Sequence, residues 1–575
     1  MRQVLSEPTN NSQHTQADLR ERIQRATATL AKLEGFLNRQ AYRLREACTE
    51  QGKFQSVRLD DHQQHAYDLA LAYAALEAAK VMQEFAQDEA SSELDLQCAI
   101  LFIAESVDEL LHKLSRLAAD RQDAVHELRC STGLQEILSL GLDPKFQAAL
   151  GMQLSQQGIN SLRDVLGAEK RMMRETFERF ARDEVAPVAE EIHRQDLDIP
   201  EALLNKAADL GCFGTSIPER FGGLQPDEGA DSLGMIVVTE VLSTASLGAA
   251  GSLITRPEIA ARALLAGGTE AQQDKWLPRL ASGDSLCAIA ITEPDTGSDV
   301  ASVALRAKAA DGGWLLNGAK TWCTFAGRSD LLLVLARTGG DDRKGHQGLS
   351  LFLVEKPAYS GHSFSYQQEQ GELTGTAIAT LGYRGMHSYD LFFSDFFVPA
   401  DSLIGGEEGI GRGFYYTMAG FAGGRIQTAA RATGVMQAAF NEALAYTQQR
   451  RVFGQALAEY QLTQIKLARM LATISAARLF SYRVAELLDA EEREESNKSR
   501  AQMSASLVKL FACRAAEWVC REAMQLHGGL GYAEESPVSR YFVDARVLSI
   551  FEGAEEVLAI KVVARELIAS AEPAD

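Results

Sequence analysis

The stretch "SLCAIAITEPDTGSD", residues 285–299, is where the chain changes character, and its reading decides the fold. "SLCAIAIT" is a short apolar run closed by Pro, Gly and Asp, the texture of a buried strand rather than of an amphipathic helix. The same texture returns in "LLLVLART" (331–338), "LSLFLVEK" (349–356) and "YDLFFSDFFVP" (389–399), while "ADGGWLLNGAKTW" (310–322) reads as a hairpin around Asp-Gly. Residues 284–400 are therefore expected to form a compact antiparallel β unit.

Outward from it the chain reads as helix on both sides. Upstream, "EKRMMRETFERFARDEVAPVAEEI" (169–192) through "TEAQQDKWLPRLASG" (269–283) has apolar residues at three- and four-residue spacing, giving a helical unit over 166–283. Further upstream, "LRERIQRATATLAKLEGFLNRQAYRLREA" (19–47) and "AYDLALAYAALEAAKVMQEFA" (66–86) are alanine-rich and nearly free of Gly and Pro, so 1–165 is expected to be an all-helical extension after a polar, disordered start. At its end, 133–168 reads as a connection punctuated by Gly, Ser and Asp, and earlier in the extension His62 and His65 read as solvated or capping residues. Downstream, three long helical patterns between 411 and 528 place a helical bundle over 401–575, with "DAEEREESNKSR" (489–500) as a solvated turn. The fold class is mainly α with a central β domain.

Composition narrows the function. With 575 residues and 78 acidic against 57 basic groups, the formal charge is -21, which argues against wrapping nucleic acid or docking on anionic lipid. The eight cysteines show no CxxC pair or zinc-type histidine spacing and read as reduced, packed thiols; no metal site is expected. No signal-peptide core and no membrane-spanning apolar run is present, which makes the cytoplasm the expected compartment.

Taken alone, "ITEPDTGSD" (291–299) is a turn whose hydroxyls and small residues could let a polar ligand approach. "GAKTWCTFAG" (318–327) puts Trp322 and Thr324 on one side of an extended segment, suited to a flat heterocycle, although a core tryptophan beside an edge threonine fits equally well. The combination is specific. "ITEPDTGSD", "NGAKTWCT", "RRVFG" (450–454) followed by Gln461, "QLHGGLGY" (525–532) and "DARVLSIFEG" (544–553) resemble, in this order, the motifs of the acyl-CoA dehydrogenase family, over roughly residues 168–568.

That resemblance implies a helical domain, a β-barrel-like domain and a C-terminal four-helix bundle, with FAD between the last two. It implies that Thr292 hydrogen-bonds the flavin ring, Trp322 packs on it and Thr324 reaches its edge near N5. Arg450, Phe453, Gln461, Gln525 and Gly529 would meet the FAD tail, typically across a subunit boundary, in a homodimer or homotetramer. Ser298 and Arg425 would touch the CoA arm. In "SIFEGAEEV" (549–557), Glu552 would be the base that removes the proton α to the thioester as the β-hydride passes to the flavin, with electron-transfer flavoprotein as the acceptor. Ile550 and Phe551 are expected to desolvate Glu552 and raise its pKa, and Gly553 to bring its amide to the thioester carbonyl. Locally, Glu552 could equally be the first acidic residue of a helix. Some family members carry the base one position before the Arg425 equivalent; here that position is Gly424. Ala554 stands where the family usually has a threonine, which removes one contact expected for FAD.

The N-terminal extension and "LGYRGMHSYDLFF" (381–393) resemble the branch that oxidises (2S)-methylsuccinyl-CoA to mesaconyl-CoA in the ethylmalonyl-CoA pathway. Such a substrate ends in a carboxylate, so a cation or several donors are expected; the candidates are Arg256 in "SLITRPEIA" and His387 with Tyr389 in "RGMHSYD". The alternatives are a monocarboxylic short or branched-chain dehydrogenase, an acyl-CoA oxidase, and a family-like DNA-binding flavoprotein of low activity. The extension is either a cover that sets the oligomeric state or a separate interaction module.

Overall fold

The computed structural model describes residues 15–117, 122–157, 162–339, 345–491 and 498–573; the expected disordered start and half of the turn expected at 489–500 lie outside these residues, and 489–491 and 498–500 are helical. The chain opens with α1 (Gln16–Ala47), a two-residue-strand hairpin of β1 (Thr49–Glu50) and β2 (Lys53–Phe54), then α2 (Gln63–Gln87), α3 (Glu93–Leu117), α4 (Gln122–Arg129), α5 (Thr132–Gly141) and α6 (Pro144–Gln157). The region read as a connection is thus largely two helices, α5 and α6. Gly151, inside α6, is where this helix comes close to the chain at residue 464: a Cβ there would overlap the Gln464 carbonyl oxygen.

The second helical layer comprises α7 (Ala168–Phe180), α8 (Ala186–Gln195), α9 (Glu201–Asp209), α10 (Ser232–Ala245), α11 (Thr255–Gly267) and α12 (Glu270–Ser282). Its ends are set locally. Asp231 caps α10 by accepting from the Gly234 amide, and Thr269 with Gln272 forms a capping box at α12. An eight-stranded sheet follows, made of β3 (Cys287–Ala290), β4 (Arg306–Ala310), β5 (Gly313–Thr324), β6 (Leu331–Arg337), β7 (Leu349–Glu355), β8 (Ser363–Gln368), β9 (Gly371–Ala377) and β10 (Ser388–Pro399), in the order β3-β6-β4-β5-β10-β9-β8 with β7 on β6.

The β4–β5 hairpin turns at Asp311-Gly312, as the sequence implies. The sheet is not purely antiparallel, however: β3 lies parallel to β6, with Cys287 opposite Leu331. Both strands are nearly wholly buried, with helical layers against one face, the setting in which parallel pairs occur.

The last layer contains α13 (Gly413–Gln449), the short pair β11 (Arg451–Val452) and β12 (Gln455–Ala456), α14 (Gln461–Glu491), α15 (Lys498–His527), α16 (Pro537–Leu548), and the short α17 (Glu555–Val557) and α18 (Arg565–Ser570). One continuous apolar core runs from Leu19 to Ala571, joining the extension to this bundle; Phe102 of α3 meets Phe511 of α15 edge-on at 5.7 Å. The extension is therefore an integral layer rather than a separate module. Among the described residues no helix is long and apolar enough to cross a membrane.

If α6 is seated through Gly151, Gly151→Val should lower unfolding stability by about 2–3 kcal/mol, an overpacking cost, readable as a smaller urea midpoint at unchanged slope.

Candidate active site

The chain ends α16 with the amides of Ile550 and Phe551 both bonded to the Val547 carbonyl, then turns through two left-handed residues, Glu552 (φ 53°) and Gly553 (φ 102°). A left-handed non-glycine residue costs on the order of 1–3 kcal/mol and persists only where neighbours impose it. Here Lys509, buried in α15, donates to the carbonyl oxygens of Phe551, at 2.7 Å, and Gly553. Because α17 begins only at Glu555, Glu552 is a turn residue and not the acidic start of a helix.

The Glu552 carboxylate meets α13. Its Oε2 accepts from Thr428 Oγ1 and from Arg431 Nη2, each at 2.6 Å, while Oε1 has no hydrogen bond among the described residues. Arg431 is fully buried; it also reaches Ser252 Oγ at 3.1 Å, and its guanidinium lies 4.8 Å from the centre of the Phe551 ring. A Cβ on Gly424 would stand 3.2 Å from Glu552 Oε2, so this helix is notched where the carboxylate arrives.

The expected upward pKa shift is corrected by this geometry. Burial does push the Glu552 carboxyl up, but the charge and hydrogen bonds of Arg431, the Thr428 hydroxyl and the charge of Arg256 outweigh it and hold it below the usual range. Ile550 contributes little cover, being 54% exposed.

A second carboxylate, unnoticed in the sequence, enters the same notch from α11. Glu258 is fully buried, pairs with Arg262 Nε at 2.9 Å and accepts from Gln427 Nε2; a Cβ on Gly423 would overlap its Oε1. Burial, first, and the nearby Glu552 charge push its pKa up to about 7 despite Arg262. Its only sequence signal is a Glu following Arg-Pro, and nothing in that marks it for burial.

Arg256 is 7% exposed on α11 and donates to Tyr383 Oη at 2.8 Å and to the Ser252 carbonyl at 2.5 Å, with Met386 Sδ at 3.1 Å. Its contacts are thus all neutral, and among the described residues no carboxylate pairs with it. Tyr383 in turn meets Phe551 edge-on at 5.5 Å. Arg256, Tyr383, Phe551, Arg431 and Glu552 consequently form one connected group.

His387 and Tyr389 do not offer free donors to that group. The two His387 ring nitrogens face Asp198 and Asp196 at 3.1 and 3.2 Å, and the Tyr389 hydroxyl donates to the Gly361 carbonyl at 2.5 Å. Their expected part in holding a substrate carboxylate is corrected accordingly, because the hydrogen-bonding capacity of both is already used inside the protein.

On the β domain, Thr292 and Thr296 share the loop after β3, anchored by Glu293, which accepts from the Ala304 and Leu305 amides and from buried Lys320 Nζ. Among the described residues the buried Thr296 hydroxyl has no partner. Trp322 is not in regular extended backbone: it sits at φ 57° in a bulge of β5 opposite β10, with its side chain 56% exposed, while Thr324 is shared with Ser388 at 2.8 Å. The bulge, rather than simple alternation, aims the indole outward. An exposed aromatic face beside hydroxyls and an orphaned threonine suits a flat heterocycle with a polar edge such as FAD.

Arg450, Gln461, Gln525 and Gly529 are exposed, and Phe453 is fully so at φ 49°, a placement that leaves them open to a ligand. Ser298 is also exposed, and Arg425 is half-buried, donating to Ser506 Oγ at 3.1 Å.

Two variants probe these electrostatics. Arg431→Met removes the main influence lowering the Glu552 pKa, so the acid limb of kcat/KM should move to higher pH; an unmoved limb would mean that Glu552 does not carry it. Glu258, protonated in the fold but ionised in the unfolded chain between pH 4.5 and about 7, should cost stability as pH rises through that window. Glu258→Gln should remove this slope, gaining about 1–3 kcal/mol on the parent between pH 5 and 8 in urea titrations.

Comparison with known proteins agrees with this arrangement. The family models for the acyl-CoA dehydrogenase N-terminal, middle and C-terminal domains match residues 167–284, 288–396 and 411–568. The chain is 36% identical over 557 residues to the (2S)-methylsuccinyl-CoA dehydrogenase of Cereibacter sphaeroides, covering 94% of this chain and 97% of that one. Butyryl-CoA dehydrogenase from Megasphaera elsdenii superposes with a TM-score of 0.63 at 30% identity, over 71% of this chain and 100% of that one. A glutaryl-CoA dehydrogenase from Mycobacterium smegmatis in complex with FADH2 gives a TM-score of 0.61 at 26% identity, over 71% and 96%. With its three matched domains in order and a notch on α13 that receives Glu552, this chain belongs to the acyl-CoA dehydrogenase family of FAD-dependent oxidoreductases acting on CH–CH bonds.

Proposed function

We propose that the enzyme dehydrogenates (2S)-methylsuccinyl-CoA to mesaconyl-CoA, with Glu552 as the base and Arg256 as the residue that binds the distal carboxylate. The observation that carries the substrate is Arg256 itself. A buried guanidinium with only neutral partners is expensive, and a ligand carboxylate offsets that cost through paired hydrogen bonds. Its place on α11, linked through Tyr383 and Phe551 to the Glu552 turn, suits an acyl chain with the thioester at one end and an anion at the other. The relative from Cereibacter sphaeroides, whose match extends through the N-terminal helices, supports the same choice.

In this reading Arg431 and Thr428 hold Glu552 ionised and steady through Oε2, which leaves Oε1 to take the proton α to the thioester. The substrate, by excluding water from the notch, adds to the burial that raises the base strength of Glu552. The left-handed Glu552-Gly553 turn, pinned by Lys509, presents the Glu552 amide to the thioester carbonyl, where negative charge develops. Bound FAD supplies the acceptor for the β-hydride. Thr292, Trp322 and Thr324 would hold its ring; Arg450, Phe453, Gln461, Gln525 and Gly529 its tail, from a neighbouring subunit of a homodimer or homotetramer. Ser298 and Arg425 would meet the CoA arm. Electron-transfer flavoprotein is the proposed acceptor and the cytoplasm the proposed compartment.

The test is anaerobic flavin bleaching. (2S)-Methylsuccinyl-CoA should bleach the yellow protein faster than butyryl-CoA or isovaleryl-CoA, Glu552→Gln should slow it by about a thousandfold, and Arg256→Gln should cost about a hundredfold in kcat/KM for methylsuccinyl-CoA alone. Equal losses for all three thioesters in Arg256→Gln would discard the carboxylate assignment. Reoxidation faster with oxygen than with electron-transfer flavoprotein would make the enzyme an oxidase.

A further inference from the structure

Away from the Glu552 notch, three loops bring together side chains that the dehydrogenation does not use. Asp196 caps the C-terminal end of α8, His362 immediately precedes β8 and His387 immediately precedes β10. Their ligand atoms all lie within 4.8 Å of one another: Asp196 Oδ1 is 3.2 Å from His387 Nε2, and Asp196 Oδ2 is 3.9 Å from His362 Nε2. The two imidazole rings meet edge-on with centroids 4.4 Å apart.

We propose that Asp196, His362 and His387 bind one divalent transition-metal ion of the Zn2+ type, which staples the second helical layer to the sheet. Tetrahedral Zn2+ with bonds near 2.0–2.1 Å sets its ligand atoms roughly 3.3 Å apart, so closing this group requires side-chain rotations and no change of fold. Two imidazoles and one carboxylate form a donor set of intermediate softness that suits Zn2+ and disfavours Mg2+ or Ca2+, which prefer oxygen alone.

The surroundings of His387 are those of a metal-bound imidazole. Its Nδ1 faces Asp198 Oδ1 at 3.1 Å, and Asp198 Oδ2 is fixed by the Gly361 amide at 2.7 Å. With Nδ1 donating to Asp198, an ion that displaces the proton Nε2 now shares with Asp196 would meet the Nε2 lone pair. His362, about half exposed, gives the ion an entry from solvent and leaves a fourth position for water. Its Nε2 now lies 3.1 Å from the Asp196 carbonyl oxygen and would exchange that contact for the metal.

Two of the three ligands, Asp196 (φ 53°) and His387 (φ 37°), are held in left-handed backbone, strain that accumulates where a site is being imposed. One group opposes the ion: Arg384 Nε lies 3.5 Å from Asp196 Oδ1, but this guanidinium is drawn aside by the Thr380 and His193 carbonyl oxygens. The ion would have a structural consequence at the acyl site as well, since Met386, next to His387, touches Arg256.

The experiment uses full-length, FAD-loaded protein dialysed against EDTA, in a Cys130→Ser background because exposed Cys130 lies 3.5 Å from His126 Nε2 and could take zinc by itself. Zinc sulfate is titrated against a chromogenic chelator, with bound zinc counted after desalting and thermal unfolding followed in parallel. One zinc per protomer, a raised Tm, no such response to magnesium, and at least tenfold weaker binding in His362→Ala are expected. His362→Ala is the main variant because its exposed side chain can be removed without unfolding the protein; Asp196→Asn is the second. No retained zinc, or retention unchanged in both variants, overturns the proposal.

Discussion

The ion pair between Arg431 and Glu552 is the interaction on which the arrangement of this molecule depends. A guanidinium with no exposed surface cannot be left alone in a protein interior; removing one partner of such a pair costs about 3–5 kcal/mol. Arg431 lies on α13, and its partner comes from the turn after α16, more than a hundred residues later. Satisfying it draws the C-terminal turn onto the middle of α13, and Ser252 on Arg431 Nη1 draws in the loop that leads to α11. Much else at the site serves that closure: the glycine at 424 makes room, Lys509 pins the turn, and Phe551 covers the cation.

The same pair explains why Glu552 is held ionised rather than pushed towards neutrality. Two carboxylates enter the Gly423-Gly424 notch, and their partners differ. Glu552 has a buried arginine and a hydroxyl, and is held low; Glu258 is more deeply enclosed, has one arginine, feels the Glu552 charge and is pushed to about 7. Neutralising one of two neighbouring acids is the ordinary outcome when both cannot be charged cheaply. What remains is a positive charge at Arg256, within electrostatic reach of Glu552 and, among the described residues, paired only with a phenol, a carbonyl and a thioether. The charge around Glu552 is therefore asymmetric, and the proposed anionic acyl chain rests on that asymmetry.

The N-terminal layer acts on this turn from outside. The Tyr67 hydroxyl bonds Glu555, which also pairs with Arg514 at 2.6 Å, and Glu555 stands three residues beyond Glu552. A helical layer that shares the bundle's core also braces the segment that carries Glu552, so fold stability and site geometry are coupled along a short path.

The sequence by itself determined the order of helices, strands and helices, the β4–β5 turn at Asp-Gly, and the family, because periodicity, turn residues and spaced motifs are local properties. Glu552 was singled out through the family motif "DARVLSIFEG" rather than by its neighbours, since its local sequence equally allowed the acidic start of a helix. Tertiary structure alone decided the rest. The helices at 132–157 were hidden because a glycine such as Gly141, required for close approach to Ile100 and Ala104 of α3, has the same appearance in sequence as one that belongs to a loop. The parallel β3–β6 pair depends on a crossover between distant segments. The direction of the Glu552 pKa shift was misjudged because Phe551 is adjacent in sequence whereas Arg431 is adjacent only in space, and a buried charge outweighs a neighbouring apolar side chain. His387 looked free until two aspartates from α8 and its following loop met it across the layer boundary. Each such feature is an encounter between residues tens to hundreds of positions apart, set by which surfaces pack together, and no local pattern encodes it.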